Sequence, residues 1–361
     1  MKRKLTIIPQ ISVHPSQINV YNQYHWDPCP PERKDKNSDY FAFVKDNSEL
    51  IEYGGKKYNH LLASERKAAG KVSKIAKRKI TKAVEYLIAI TANKTVTNRI
   101  TGRKLSMKVA FITLTLASTQ IHSDNEIISK LLNQFLIEIK KYHLVKNYIW
   151  RAEKQKNGNI HFHILIDKYI PYQEVRDRWN RIQNKLGYVD RYRNEQLTWH
   201  KNGFKLRSNL LPTWPAEKQK RAYERGAKTH WNSPNSTDIH SIRKIINLKN
   251  YIVKYITKSP EENSNNENKT EEKIKQTGRI WGCNHELSNL KGARIDIDSM
   301  TEKELEKLKN DPSVYIYESN YFSIYYIDFH KLKAKGCNYL FNQLALYLYE
   351  TFGTPLQQSV G

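Results

Sequence analysis

The chain has 361 residues, enough to bury one large or two modest hydrophobic cores. Its 61 lysines and arginines face 36 acidic residues and leave a formal charge of +25, which makes a polyanion the first partner to consider. No apolar run approaches the roughly 20 residues that span a bilayer, and Cys29, Cys283 and Cys337 have no disulfide-framework or CxxC spacing, so nucleic acid is favoured over membrane and a reducing cytoplasm is expected.

The opening MKRKLTIIPQISV has a basic start, but Pro9 and Gln10 interrupt a short apolar stretch, so it does not read as a signal peptide. Residues 1–63 show no sustained period and are given no role. Residues 63–91 read as a strongly basic helix with an apolar tail, EYLIAI; Lys77 and Arg78 on it form either a solvated face or a phosphate-binding surface. KVAFITLTL at 108–116 alternates with a period of two. It reads as a strand with Phe111, Thr113 and Thr115 on one face and Ile112, Leu114 and Leu116 on the other.

Residues 123–143 predict an amphipathic helix. Ser123 and Glu126 have capping-box spacing, and Ile127, Ile128, Leu131, Leu132, Phe135 and Ile139 form its stripe. NYIWRAEKQ at 147–155 reads as a strand, KNGN as a turn, and IHFHILID at 160–167 as the returning strand of a hairpin. Pro171 opens another helix that Gly187 stops. Residues 188–238 read as an irregular, basic insertion with Trp199, Trp214 and Trp231, a mixture that suits stacking of unpaired bases. A strand is expected at 241–246, a polar linker at 260–273 and a further strand at 278–284. A charged helix near 301–310, an aromatic strand region over 314–327 and a helix ending near Phe352 complete the chain.

The alternation in IHFHILID puts Ile160, Phe162, Ile164 and Ile166 towards a core and projects His161 and His163 together from the other face. Two imidazoles on one strand face make half a metal site, and Glu153 on the preceding strand can complete it if the hairpin register allows. A two-residue Asn157 and Gly158 turn would pair Glu153 with Phe162 and bury an ionised carboxylate in the core, which is costly. A three-residue loop, 156–158, with Gly158 in the left-handed position pairs Glu153 with His161 instead, and that register is the expected one. Arg151 shares the face of Glu153 and suits either a phosphate contact or a surface ion pair. Downstream, YIVKYITK places Tyr251, Lys254, Tyr255 and Lys258 on one helical face. Cys283 and His285 could begin a zinc site but lack a second pair.

In this order, FITLT at 111–115, HFH at 161–163 and YIVKYITK at 251–258 resemble the motifs of the HUH endonucleases, specifically the two-tyrosine rolling-circle replication initiators of microviruses, small single-stranded DNA phages. The resemblance covers residues 105–290. It implies an α+β fold, a central antiparallel sheet with flanking helices, joined here by helical and irregular extensions: an N-terminal basic extension over 1–104 and a C-terminal α/β extension over 291–361. It further implies one divalent ion, Mg2+ or Mn2+, on His161, His163 and Glu153, and Tyr251 and Tyr255 as nucleophiles assisted by Lys254 and Lys258. Thr113, Thr115, Arg151, Lys77 and Arg78 are the residues expected to line the DNA. The implied activity is site-specific nicking and rejoining of single-stranded origin DNA, expected to carry a hairpin, through a 5'-phosphotyrosine with a free 3'-hydroxyl. No GxxxxGK[ST] segment is present, so host helicase and polymerase are expected partners in a bacterial cytoplasm. A two-tyrosine transposase or a plasmid initiator would use the same chemistry, and a non-catalytic single-strand-binding protein is a separate alternative.

Overall fold

The computed structural model describes residues 5–26, 52–53, 56–57, 72–91, 94–97, 102, 104–107, 109–241 and 278–353. The chain divides into two compact units, residues 68–290 with 348–361, and residues 1–67 with 291–347. Both are built on five-stranded antiparallel sheets with helices, an α+β class.

In the first unit, α1 (Lys74–Thr91) precedes β1 (Ala110–Thr115). A long helix, α2, follows in three segments, Asp124–Ile127, a π-helical Ile128–Leu132 and Asn133–His143. The Ser123 hydroxyl caps it by accepting from the Glu126 amide at 3.2 Å, as the capping spacing predicts, and Leu144 closes it in the left-handed conformation. Then come β2 (Tyr148–Lys154), β3 (Ile160–Ile166) and α3 (Tyr172–Gln183). Beyond them lie α4 (Tyr188–Trp199), α5 (Ala216–Lys228), β4 (Thr237–Ser241) and β5 (Trp281–Cys283). The strand order is β4-β1-β3-β2-β5, antiparallel throughout.

Strand alternation decides which face is dry. Ile112 and Leu114 of β1, Ala152 of β2, and Ile160, Phe162 and Ile164 of β3 are all fully buried, and they pack with Leu131, Leu132, Phe135 and Ile139 of α2 and Val175, Trp179 and Ile182 of α3. Trp179 sits at the centre, edge-on to Phe135 at 5.9 Å and to Phe162 at 6.3 Å, and its indole N–H donates to the Thr115 carbonyl at 2.7 Å. Burying each of these side chains contributes about 1.5–3 kcal/mol before chain entropy is counted. Outside this layer Glu138 of α2 accepts from Arg178 at 2.5 Å and from Arg181, both on α3, and so ties the two helices together. On the other side of the sheet α1 packs against β2. Leu165 and Ile149, which project that way, are fully buried, so only part of this second face is open.

The second unit joins segments from the two ends of the sequence. Its strands run in the order Ala293–Asp296, Leu5–His14, Gln17–Trp26, Phe322–Tyr326, Tyr315–Glu318. Ile11, Val13, Ile18, Ile295 and Tyr325 are buried on one face. Glu304, in the helix Ser299–Lys309, accepts from the amides of Tyr339 and Leu340 at 2.9 Å and caps the helix Asn338–Phe352. The boundaries differ from those read in the sequence, where 1–104 and 291–361 stand as separate extensions. Residues 5–26 form a hairpin whose open edges are completed by the strands Ala293–Asp296 and Phe322–Tyr326, while α1 belongs with the first unit.

Two further differences concern the insertion. Residues 188–238 are not irregular, since α4 and α5 lie within them. The strand expected at 241–246 is β4, at Thr237–Ser241. No helix of the described residues is long and apolar enough to cross a membrane.

Candidate metal centre and nucleic-acid interface

The turn between β2 and β3 fixes the register. The Gln155 amide donates to the Asn159 carbonyl at 2.8 Å, which leaves residues 156–158 as a three-residue loop. Gly158 has φ 84°, the left-handed conformation that favours glycine. Glu153 consequently stands opposite His161 and Arg151 opposite His163, all on the face away from α2 and α3.

The Glu153 Oε2 lies 3.5 Å from His161 Nε2 and 3.7 Å from His163 Nε2, and the two imidazole centroids are 4.6 Å apart. One ligand atom from each of the three residues falls within 4.8 Å of the others. Burial pushes the Glu153 carboxyl up, but hydrogen bonds and charge from His161 and His163 outweigh it and hold the group at about 2. The acid is therefore ionised at neutral pH. Behind the pair, Thr113 Oγ1 lies 3.2 Å from His163 Nδ1, and the Phe111 ring lies 5.2 Å from the same imidazole. With Nδ1 carrying the proton and donating to Thr113, Nε2 presents its lone pair towards Glu153.

A divalent ion fits this donor set. One carboxylate and two neutral imidazoles leave the site short of positive charge, and cis ligands on an octahedral ion at about 2.1 Å stand about 3 Å apart, only some tenths of an ångström closer than these atoms are. Two imidazoles with an oxygen donor suit manganese or magnesium better than a closed structural zinc site.

The remaining expected residues take different places. Thr115 is on the same face, but its hydroxyl donates to the Ser236 carbonyl at 3.0 Å and so anchors the approach to β4. Arg151 is not presented to solvent for phosphate or a surface ion pair. It is 2% exposed, donates from Nη1 to the Ile280 carbonyl at 3.1 Å, and has Nε 4.0 Å from Glu153 Oε1. Pairing β5 against β2 covers it, because Trp281 lies directly opposite. Burial lowers the pKa of Arg151, while the neighbouring Glu153 raises it. Lys77 and Arg78 sit in the first half of α1, the lysine half-buried and the arginine exposed, and among the described residues neither pairs with a carboxylate. Tyr251, Lys254, Tyr255 and Lys258 lie outside the described residues.

Two residues on this face were not singled out from the sequence. Reading across the sheet, Asp238, Thr113, His163, Arg151 and Trp281 stand side by side. Asp238 would have been found had β4 been placed at 237 rather than 241, since the alternation in TDIHS sets Asp238 and His240 on one face.

Residues 109–260 match a family model for the ORF2 class of replication-associated proteins. The matched segment contains Glu153, His161 and His163 and extends through Tyr251 and Tyr255. No curated protein and no solved structure matches the chain.

Proposed function

We propose that this chain is a rolling-circle DNA replication initiator that nicks and rejoins single-stranded origin DNA by metal-assisted tyrosine transesterification. The observation that carries the reading is the convergence of Glu153, His161 and His163 on one open sheet face within a segment matched by a replication-associated family model.

In this reading Glu153, His161 and His163 hold one divalent ion, magnesium or manganese. Such an ion, when bound, draws charge from the non-bridging oxygens of the scissile phosphate. Thr113 keeps His163 in the tautomer that offers Nε2. Tyr251 or Tyr255 releases its phenolic proton and attacks phosphorus. The new bond joins the phenolic oxygen to phosphorus, the bond from phosphorus to the 3' oxygen breaks, and that oxygen takes up a proton. The products are a 5'-phosphotyrosine and a free 3'-hydroxyl that primes synthesis. Lys254 and Lys258, one turn from the phenols, favour phenolate over a phenol whose ordinary pKa is about 10. Because one phosphoester replaces another, the reverse step reseals the strand without an external energy source. The second tyrosine cuts the regenerated origin and releases a circle. Host helicase and polymerase supply unwinding and synthesis.

The test is a single-stranded oligonucleotide library incubated with manganese and resolved on a denaturing gel for protein joined covalently to DNA. Wild type, Tyr251→Phe, Tyr255→Phe and the double variant are compared. Adduct that survives either single change and disappears in the double variant is expected. Adduct that persists in the double variant sinks the assignment of the nucleophiles, and no adduct with any library member, while DNA still binds, leaves a single-strand-binding protein.

A further inference from the structure

The insertion between β3 and β4 carries chemistry that the metal centre does not use. Residues 188–232 hold ten lysines and arginines against four acidic residues. They are folded into α4 and α5 rather than dispersed in a loop. One face of α4 and the loop that follows it enclose a cleft of about 1120 Å3, lined by Arg191, Asn194, Trp199, Lys205, Arg207 and Asn209, with Asp190 and Glu195 at its margin. That is larger than the roughly 300–1,000 Å3 of a small-molecule pocket, which favours a polymer as occupant.

The cations in the cleft are held in place and yet are not neutralised. Lys205 Nζ lies 4.4 Å and Arg207 Cζ 5.1 Å from the centroid of the Trp199 ring, and the indole N–H donates to the Lys205 carbonyl at 3.1 Å. The backbone at Arg207 is pinned from both sides by Gln219, whose side chain accepts from the Arg207 amide at 2.9 Å and donates to its carbonyl at 3.1 Å. Among the described residues, Arg191, Lys205 and Arg207 form no ion pair with a carboxylate. Asp190 is instead occupied by Asn184 and Arg193. Three positioned cations with spare donors facing a shared cleft are what backbone phosphates require.

Beside the cleft His200 stacks on Trp231 at 5.9 Å and on Phe204 at 6.2 Å, and Phe204 and Trp214 are each 37% exposed. A duplex hides the faces of its bases, whereas a single strand offers them to exposed rings.

We infer that the α4 cleft is a second nucleic-acid site, in which Arg191, Lys205 and Arg207 clamp the phosphates of single-stranded DNA away from the scissile bond. The choice of DNA rests on the function proposed above; the phosphate clamp does not. The site holds the strand on either side of the nick so that both ends stay on the protein between cutting and rejoining.

The test measures binding alone, in EDTA, so that it is independent of nicking. A thymidine oligonucleotide of about 30 nucleotides and a blunt duplex of equal length are titrated against the full chain and against the triple variant Arg191→Gln, Lys205→Gln, Arg207→Gln. A second triple variant, Lys218→Gln, Lys220→Gln, Arg221→Gln on α5, removes the same charge outside the cleft, and thermal melting establishes that both are folded. At about 0.7 of a logarithmic unit per phosphate contact, raising salt from about 50 to about 200 mM should weaken single-strand binding by wild type roughly 20-fold more than binding by the cleft variant. The α5 variant should keep a salt dependence near that of wild type. Equal slopes for wild type and the cleft variant, or equal loss in the α5 variant, would overturn the clamp. A loss confined to the duplex would overturn the single-strand assignment.

Discussion

Replacing Thr113 by valine removes one hydroxyl and little else, because valine keeps the branched shape that suits β1. In the native chain that hydroxyl is 3.2 Å from His163 Nδ1. A neutral hydrogen bond of this kind contributes about 0.5–1.5 kcal/mol to stability, so the variant should melt within a few degrees of wild type. Its effect on a bound ion is larger. The hydroxyl sets which nitrogen of His163 carries the proton, and losing such a partner typically costs 10- to 100-fold in metal affinity, about 1.4–2.7 kcal/mol. The His163 side chain retains 14% exposure, so water can replace part of the bond, and the expected loss is near the lower end, about 10-fold. Calorimetric titration of manganese into the full chain would measure it, with Thr113→Ser as the companion that keeps the hydroxyl. The valine variant should bind about 10-fold more weakly and the serine variant within about 3-fold of wild type. Unchanged affinity in the valine variant, or equal weakening in both, would refute the argument by removing the hydroxyl from the cause.

Two other predictions concern the frame around the site. Burial raises the Glu138 carboxyl, but the guanidiniums of Arg181 and Arg178 and the Gln134 amide hold it down to about 2. A depressed acid contributes stability that is complete above its ordinary 4.5 and is lost as pH falls towards 2. The full shift is worth about 3 kcal/mol, and screening through the exposed Arg181 brings it to about 1–2 kcal/mol. Glu138→Gln should therefore lower the melting temperature at pH 7 by about 2–4 °C per kcal/mol lost and flatten its decline between about pH 5 and pH 3; melting curves as steep in acid as those of wild type would count against the α2 to α3 link. Gly158→Ala forces a β-carbon onto a residue at φ 84° and should cost about 1–2 kcal/mol in denaturant unfolding. Equal stability would mean that the loop does not need its left-handed residue.

The hairpin that builds the site was legible because its two constraints reinforce each other. Gly158 supplies the loop conformation, and the cost of burying Glu153 beside Phe162 excludes the shorter turn. The helix over 123–143 was legible from its cap and its apolar stripe. By contrast α4 and α5 do not announce themselves as helices, because their apolar periodicity is weak: only Tyr188 and Val189 of α4, and Gln219 of α5, are buried. Residues 5–26 are hidden for another reason. Pro9 lies inside a strand, opposite Asn22, and a proline there argues locally against the strand. The pairing that completes the sheet comes from almost 300 residues away and leaves no local trace. Arg151 is the instructive case at the site itself. Alternation placed it correctly on the face of Glu153, but its burial depends on β5, whose pairing with β2 cannot be read from β2 alone.

The most direct measurement for the account is single-turnover adduct formation on an origin-like single strand as a function of manganese concentration, for wild type, His161→Ala, His163→Ala and Glu153→Gln, with binding of the same strand followed in parallel. Wild type should show a saturable requirement for the ion and no adduct in EDTA. The three variants should lose at least about 100-fold in rate at manganese concentrations that saturate wild type, a loss of about 2.7 kcal/mol, while still binding the strand. Adduct formed equally well in EDTA, or by the variants, would contradict the claim that Glu153, His161 and His163 hold the ion on which nicking depends.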